Sequence, residues 1–175
     1  RLSARHYDLA AVVVLLVLGV GAALTFRDYG LGWDDYTHSE YGELLLAYYG
    51  SGFTDKRALS FVNLYMYGGG FDLVSALAAK VLPFDGFETR RLMGALVGII
   101  GLAVAWRLAR LIAGPLAGLL ALALLATTSM FYGHMFMNAK DGPFAVAMCV
   151  LLLAIVRAIE DYPSPSRGTV IFLGL

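Results

Sequence analysis

Apolar residues along this chain arrive in long unbroken blocks, neither the strict alternation of a half-buried strand nor the narrow stripe of a surface helix. From Leu9 to Phe26 no charged residue occurs, while Arg1 and Arg5 precede the block and Arg27-Asp28 close it. Leu92 to Trp106 is a second block, ended by Arg107 and Arg110, and Leu111 to Ala139 holds no Asp, Glu, Lys or Arg. Gly142 to Val156 is a further apolar core between Asp141 and Arg157. A helix needs about 20 apolar residues to cross a bilayer. The pattern therefore predicts an all-α polytopic transmembrane helix bundle with spans at about 8–26, 92–112, 115–133 and 141–159, and a fifth from 168 that stops at Leu175. Gly114-Pro115 supplies the turn between the second and third spans, because Pro ends one helix and opens the next.

Composition sharpens this reading. Hydrophobic residues make up 59% of the chain and charged ones 15%, against roughly 25% charged in soluble domains, which excludes an ordinary water-soluble domain. Lys+Arg and Asp+Glu balance at 13 each, so the basic excess of a nucleic-acid binder is missing. Cys149 is the one cysteine and lies in an apolar run, which excludes an internal disulfide framework and a Cys-rich zinc site. The chain opens on Arg1 without Met and closes on a short apolar run, so it is expected to be the N-terminal part of a longer membrane protein, with residues 1–175 forming one part of its transmembrane domain. A cleaved signal peptide is the alternative for the first block, but that block lacks an Ala-x-Ala site near its end.

The distribution of Arg orients the bundle. With the N-terminus in the cytoplasm, Arg1, Arg5, Arg107, Arg110, Arg157 and Arg167 all lie inside, as the positive-inside rule requires, and residues 27–91 and 134–140 lie outside. The segment 58–82 is apolar too, but it carries Tyr65, Tyr67, Gly68 to Gly70, Asp72 and Lys80. It is expected to be an interfacial or re-entrant helix, since counting it as a span would move Arg107 and Arg110 outside.

The first outer loop, 27–91, concentrates the chemistry. It holds nine of the 13 acids, Asp28, Asp34, Asp35, Glu40, Glu43, Asp55, Asp72, Asp85 and Glu88, and seven tyrosines. Loops of this length usually function or carry helices of their own, and a helix is predicted from Tyr36 to Tyr49. Asp34 or Asp35 would cap it. Carboxylates just outside a hydrocarbon slab can equally accept a proton, hold a polar substrate or bind a divalent metal ion, which prefers oxygen ligands. His38, four residues after Asp34, shares its face if the helix has begun. A second polar cluster, His134, Asn138, Lys140 and Asp141, stands at the outer junction of the third and fourth spans. Asp141 either caps the fourth span or joins Asp34 and Asp35 across the surface. Arg90 and Arg91 open the second span, as interfacial anchors or as contacts for a lipid-linked phosphate; Lys56, Arg57 and Lys140 are the other candidates for that phosphate. Gly94, Gly98, Gly101, Gly114 and Gly118 offer small faces for close helix packing.

Trp33-Asp34-Asp35, the helix with Glu40 and Tyr41, Arg90-Arg91-Leu92 before a Gly/Ala-rich span, and Phe136-Met-Asn-Ala-Lys-Asp141-Gly-Pro143 together resemble the N-terminal third of a C-type polytopic membrane glycosyltransferase, in the protein mannosyltransferase and aminoarabinose transferase group. The resemblance implies transfer of a sugar from a polyprenyl phosphate to an acceptor hydroxyl on the outer side of the membrane, a bacterial inner-membrane location, and partners comprising membrane lipids, an unidentified acceptor and the remainder of the same polypeptide. It implies that Asp34 is the leading catalytic acid and Asp141 the second, with Asn138 to Asp141 matching the family's pattern; from the residues themselves, Asp35, His38, His134, Asn138, Lys140, Arg90 and Arg91 are the candidate substrate or metal contacts, and a divalent metal ion is the candidate cofactor. The sequence departs from aminoarabinose transferase relatives at one segment: where they carry a Lys/Tyr-Pro-Pro-Leu-Tyr motif, this chain reads Tyr67-Gly-Gly-Gly-Phe-Asp72, and the motif's Lys has no direct match. The rival expectation is a non-catalytic membrane subunit or transporter fragment whose acidic loop binds a partner or cations.

Overall fold

A computed structural model describes residues 3–174; Arg1 and Leu175, used above for orientation and for the end of the fifth span, lie outside the described residues. Among the described residues all regular structure is helical. Helix α1 runs Ala4–Thr25, α2 Asp35–Gly50, α3 Gly70–Ala79, α4 Gly86–Ala113, α5 Pro115–Thr127, α6 Ser129–Met137, α7 Asp141–Glu160 and α8 Arg167–Leu173. Helices α1, α4 and α7 are each long and apolar enough to cross a membrane, and α5 with α6 makes a fourth such stretch if taken as one bent span. This is the multi-pass helix bundle of an integral membrane protein.

Helices α1 and α4 are antiparallel, tied at both ends. Arg110 donates Nε and Nη2 to the two carboxylate oxygens of Asp8 at 2.6 and 2.8 Å, and at the opposite end Arg27 meets Glu88 at 3.2 Å and lies over the Phe84 ring. Between them, Ala11, Leu102 and Leu122 are fully buried where α1, α4 and α5 meet. Gly114, at φ 89°, both ends α4 and precedes α5. A residue with a Cβ is strained there, which is why Gly-Pro makes this turn.

Helix α4 begins at Gly86, six residues before the expected span. Asp85 accepts a hydrogen bond from the Glu88 amide and Glu88 reaches back to the Asp85 amide, a reciprocal cap that starts the helix while its first turns are still polar. Charge marks where a span ends, whereas capping marks where a helix ends. The two differ here because Glu88, Arg90 and Arg91 all find partners on neighbouring segments.

The third apolar stretch departs from the expected single helix over 115–133. It breaks at Thr128, whose backbone is extended (φ −75°, ψ 103°), and α5 and α6 are bent by 64°. Thr127 and Thr128 turn their hydroxyls back onto the carbonyls of Ala123 and Leu124, and such local bonds compete with the helix ladder. The bend lays α6 against α4, where Gly94 and Gly98 admit it: a Cβ on Gly94 would stand 2.2 Å from the Met135 carbonyl oxygen, and one on Gly98 2.6 Å from the Met135 side chain. Gly94→Ala is expected to cost about 1–3 kcal/mol, the range for overpacking, because the obstacle is backbone. Gly19→Ala, inside α1 where nothing lies within 4 Å, should avoid that cost and hold or slightly raise the unfolding temperature in detergent, since Ala is the better helix former.

In the 58–82 segment, expected to be an interfacial or re-entrant helix, the helical part is short. It holds two 3-10 turns, Arg57–Ser60 and Leu64–Met66, and then α3. Ten residues of helix reach about 15 Å, half the hydrocarbon thickness, so α3 by itself cannot span. It packs on α4 and, through Gly42, on α2; a Cβ at Gly42 would lie 2.7 Å from the Asp72 carbonyl oxygen.

Candidate functional site

Helix α2 begins one residue earlier than expected, and its start resolves the capping question. Asp34 precedes the helix but its side chain makes no capping bond; its carboxylate is exposed. The buried Asp35 instead reaches back to accept the Gly32 amide. Burial pushes the Asp35 carboxyl up from the ordinary carboxylate value, and the Gly32 N–H, then Arg90 and Arg91, pull against that shift. A raised folded-state value means the neutral acid is the better-tolerated form. Its contribution to stability is therefore present at low pH and is lost as pH rises from the ordinary carboxylate range through the raised value. Asp35→Asn is expected to raise the unfolding temperature at pH 7, and the gain should vanish at pH 4 and below; a thermal scan across pH 4–8 reads both.

At the α6–α7 junction Asn138 does the capping. Its Oδ1 accepts the amides of Lys140 and Asp141 at 3.2 and 2.8 Å, and its Nδ2 donates to Asp141 Oδ2 at 3.3 Å. Asp141, the first residue of α7, does not cap the helix, and it is exposed.

The bend at Thr128 carries this junction over the start of α2. Gly32 lies so close to Met137 that a Cβ would meet its carbonyl oxygen at 2.1 Å. The result is a cavity of about 320 Å³ lined by Trp33, Asp34, Asp35, His38, His134, Asn138, Lys140 and Asp141, among others. Two polar clusters a hundred residues apart in sequence thus share one space. A second cavity of about 460 Å³ is lined by Tyr67, Phe71, Asp72, Pro143 and Phe144, and shares His38, Ala139, Lys140 and Asp141 with the first. Lys140 stands with its ammonium 3.8 Å from the centre of the Tyr67 ring, a cation–π contact.

The remaining basic candidates stand elsewhere. Arg90 is 5% exposed; its Nη2 donates to Asp72 Oδ1 at 2.6 Å, and its guanidinium lies over Phe71. It is thus a buried ion-pair partner rather than an interfacial anchor. Arg91 donates to the Tyr29 carbonyl at 2.7 Å, fixing the loop after α1. Arg57 is bound to Asp55, whose carboxyl its hydrogen bonds hold below the ordinary value. Lys56 lines neither cavity.

Asp72 and Tyr67 are the residues that sequence reasoning missed as members of the site. The buried Asp72 accepts from Arg90 on one oxygen, and its other oxygen is 2.9 Å from His38 Nδ1. The available signal was an acid inside an otherwise apolar stretch, Phe71-Asp72-Leu73-Val74, a position an acid occupies only with partners.

A divalent metal does not fit this donor set. Among the described residues no group of three or more His, Cys, Asp and Glu is placed to hold one. His38 Nδ1 is committed to Asp72, Asp35 to the Gly32 amide and Asp141 to Asn138.

No curated protein and no solved structure gives a significant match to the chain. A family model does: that of dolichyl-phosphate-mannose-protein mannosyltransferase matches residues 70–175, from α3 to the end of the chain. Lys140 and Asp141 fall inside the match, whereas Asp34, Asp35 and His38 precede it. Since the matched region covers more than half of the 175 residues and forms a multi-pass helix bundle, the chain belongs to the dolichyl-phosphate-mannose-protein mannosyltransferase family.

Proposed function

We propose that this chain carries the catalytic face of a membrane glycosyltransferase, which moves a sugar from a polyprenyl-phosphate donor to an acceptor hydroxyl on the outer side of a bacterial inner membrane. The observation that carries the reading is the convergence of Asp34, Asp35 and Asp141 with Lys140 around one cavity that shares a wall with a second, more apolar one. Carboxylates activate a hydroxyl, an ammonium receives a phosphate, and an apolar neighbour suits a prenyl chain.

In this reading the acceptor hydroxyl lies against Asp34. Its oxygen attacks the anomeric carbon from the face opposite the phosphate, and Asp34 takes its proton. The bond from the anomeric carbon to the phosphate oxygen breaks, its electron pair stays on the polyprenyl phosphate, and Lys140 stabilises that charge. Asp141, exposed beside Lys140, orients the acceptor. Such an assignment answers the departure at Tyr67–Asp72: the motif's Lys is missing there, and Lys140 reaches the same segment from the α6–α7 junction. Phe71, Pro143 and Phe144 line the path of the lipid.

The deciding experiment is transfer of radiolabelled sugar from a panel of polyprenyl-phosphate donors in membranes containing the full-length protein, with and without a chelator. Label in an acceptor supports the reading and names the donor; no transfer from any donor by correctly inserted protein sinks it. Lys140→Met is expected to raise KM for the donor and lower kcat/KM by about 10- to 100-fold, the usual worth of one charge-assisted contact. An unchanged KM would remove Lys140 from the phosphate site.

A further inference from the structure

The Asp72–His38 pair is built so that one nitrogen of the ring is left for a ligand. His38 is 4% exposed and its Nδ1 lies 2.9 Å from Asp72 Oδ2. Arg90, itself 5% exposed, pairs with the other oxygen of Asp72. With Arg90 donating to one oxygen of Asp72, the hydrogen of the contact with the other oxygen is assigned to His38 Nδ1. Around the ring stand Asp34, just before α2, and Asp35 on α2, Asp72 on α3 with Arg90 of α4 behind it, and His134, Lys140 and Asp141 across the cavities. With Nδ1 turned to Asp72, Nε2 is the ring nitrogen left for a ligand. The ring meets Asp72 through Nδ1, and it lines both cavities.

We infer that His38 Nε2 accepts a hydrogen bond from a hydroxyl of the transferred sugar, and that Asp72 and Arg90 are positioning residues that fix its tautomer and direction. The inference rests on the reading above: with the phosphate at Lys140 and the acceptor at Asp34, the sugar lies between them, and His38 belongs to the wall the two cavities share. Chemically, Nε2 selects a donor group on the sugar over a deoxygenated position, because a site built to hydrogen-bond a hydroxyl discriminates against the analogue that lacks it. Gly42, one turn after His38, is what lets Asp72 come this close.

The test uses the full-length protein in lipid nanodiscs with ¹⁵N-labelled histidine, His38 being assigned by its loss in His38→Gln. The expected spectrum shows Nδ1 protonated and Nε2 bare, a tautomer swap in Asp72→Asn, and a shift of the Nε2 signal when dolichyl-phosphate mannose is added. In kinetics with the same donor, His38→Ala and Asp72→Asn should lose about 10- to 100-fold in kcat/KM, mostly through KM. His38→Gln, which keeps an acceptor and a partner for Asp72, should recover most of it. A protonated Nε2 in the wild type, no Nε2 response to the donor, or a Gln variant as impaired as the Ala variant would overturn the inference. If the wild type transfers nothing, the proposed reaction fails, while the tautomer and the donor response still decide the role of His38.

Discussion

Asp34→Asn is expected to lower sugar transfer by about 10²- to 10⁴-fold, the range for losing a general base, while the protein inserts and folds as before. The physical grounds are specific. Asp34 is exposed, makes no capping bond and lines the cavity, so its carboxylate has no structural duty for the amide to spoil. Asp35, next to it, is buried and holds the Gly32 amide, so Asp35→Ala should lose stability along with activity. The measurement is label transfer per correctly inserted molecule, with donor binding measured alongside. A variant that binds donor normally and does not turn over supports proton transfer by Asp34. Unchanged turnover removes Asp34 from the chemistry, and Asp141, the other exposed acid of the cavity, becomes the candidate.

The largest expected effect on stability is at Arg90. Removing one member of a buried ion pair costs about 3–5 kcal/mol, because the survivor is left charged and unpaired. Arg90→Met strands the carboxylate of Asp72, which is 3% exposed. His38 still hydrogen-bonds the other oxygen of Asp72, which places the cost toward the lower end of that range. The double variant Arg90→Met/Asp72→Asn should recover a large part of the loss, since it removes the stranded charge as well. Unfolding in detergent reads all three proteins; a double variant no better than Arg90→Met would show that Arg90 works through its packing on Phe71 rather than through the pair.

These two residues illustrate how unevenly the site could be read from the sequence. Asp34 and Asp141 announce themselves as acids beside apolar blocks, and the topology places them at one end of the bundle. The relation between His38, Asp72 and Arg90 had no such signal. They are separated by 34 and 18 positions and belong to three helices, and no periodicity encodes which faces of those helices meet. Arg90 and Arg91 look equivalent as neighbours, yet successive positions on a helix point about 100° apart, so one is sealed against Asp72 and the other turns to the Tyr29 carbonyl. The bend at Thr128 was equally hidden, because Thr127-Thr128-Ser129 is tolerated within an apolar helix until packing of Met135 on Gly94 and Gly98 rewards the break.

By itself the sequence determined the class of the molecule. Uninterrupted apolar blocks in a chain that is 59% hydrophobic leave helices as the structure that satisfies every backbone group in lipid, and the acids gathered in residues 27–91 mark the polar end. Those properties are local and additive along the chain, so they can be read without coordinates. Only the tertiary structure decided that residues near 34, 72 and 140 line adjoining cavities with Arg90 paired to Asp72 behind them, that Asp34 is exposed while Asp35 is committed, and that His38 turns Nδ1 to Asp72. These depend on close approaches at Gly32, Gly42 and Gly94 and on the angle at Thr128. Distances between helices are set by packing, to which every element contributes at once.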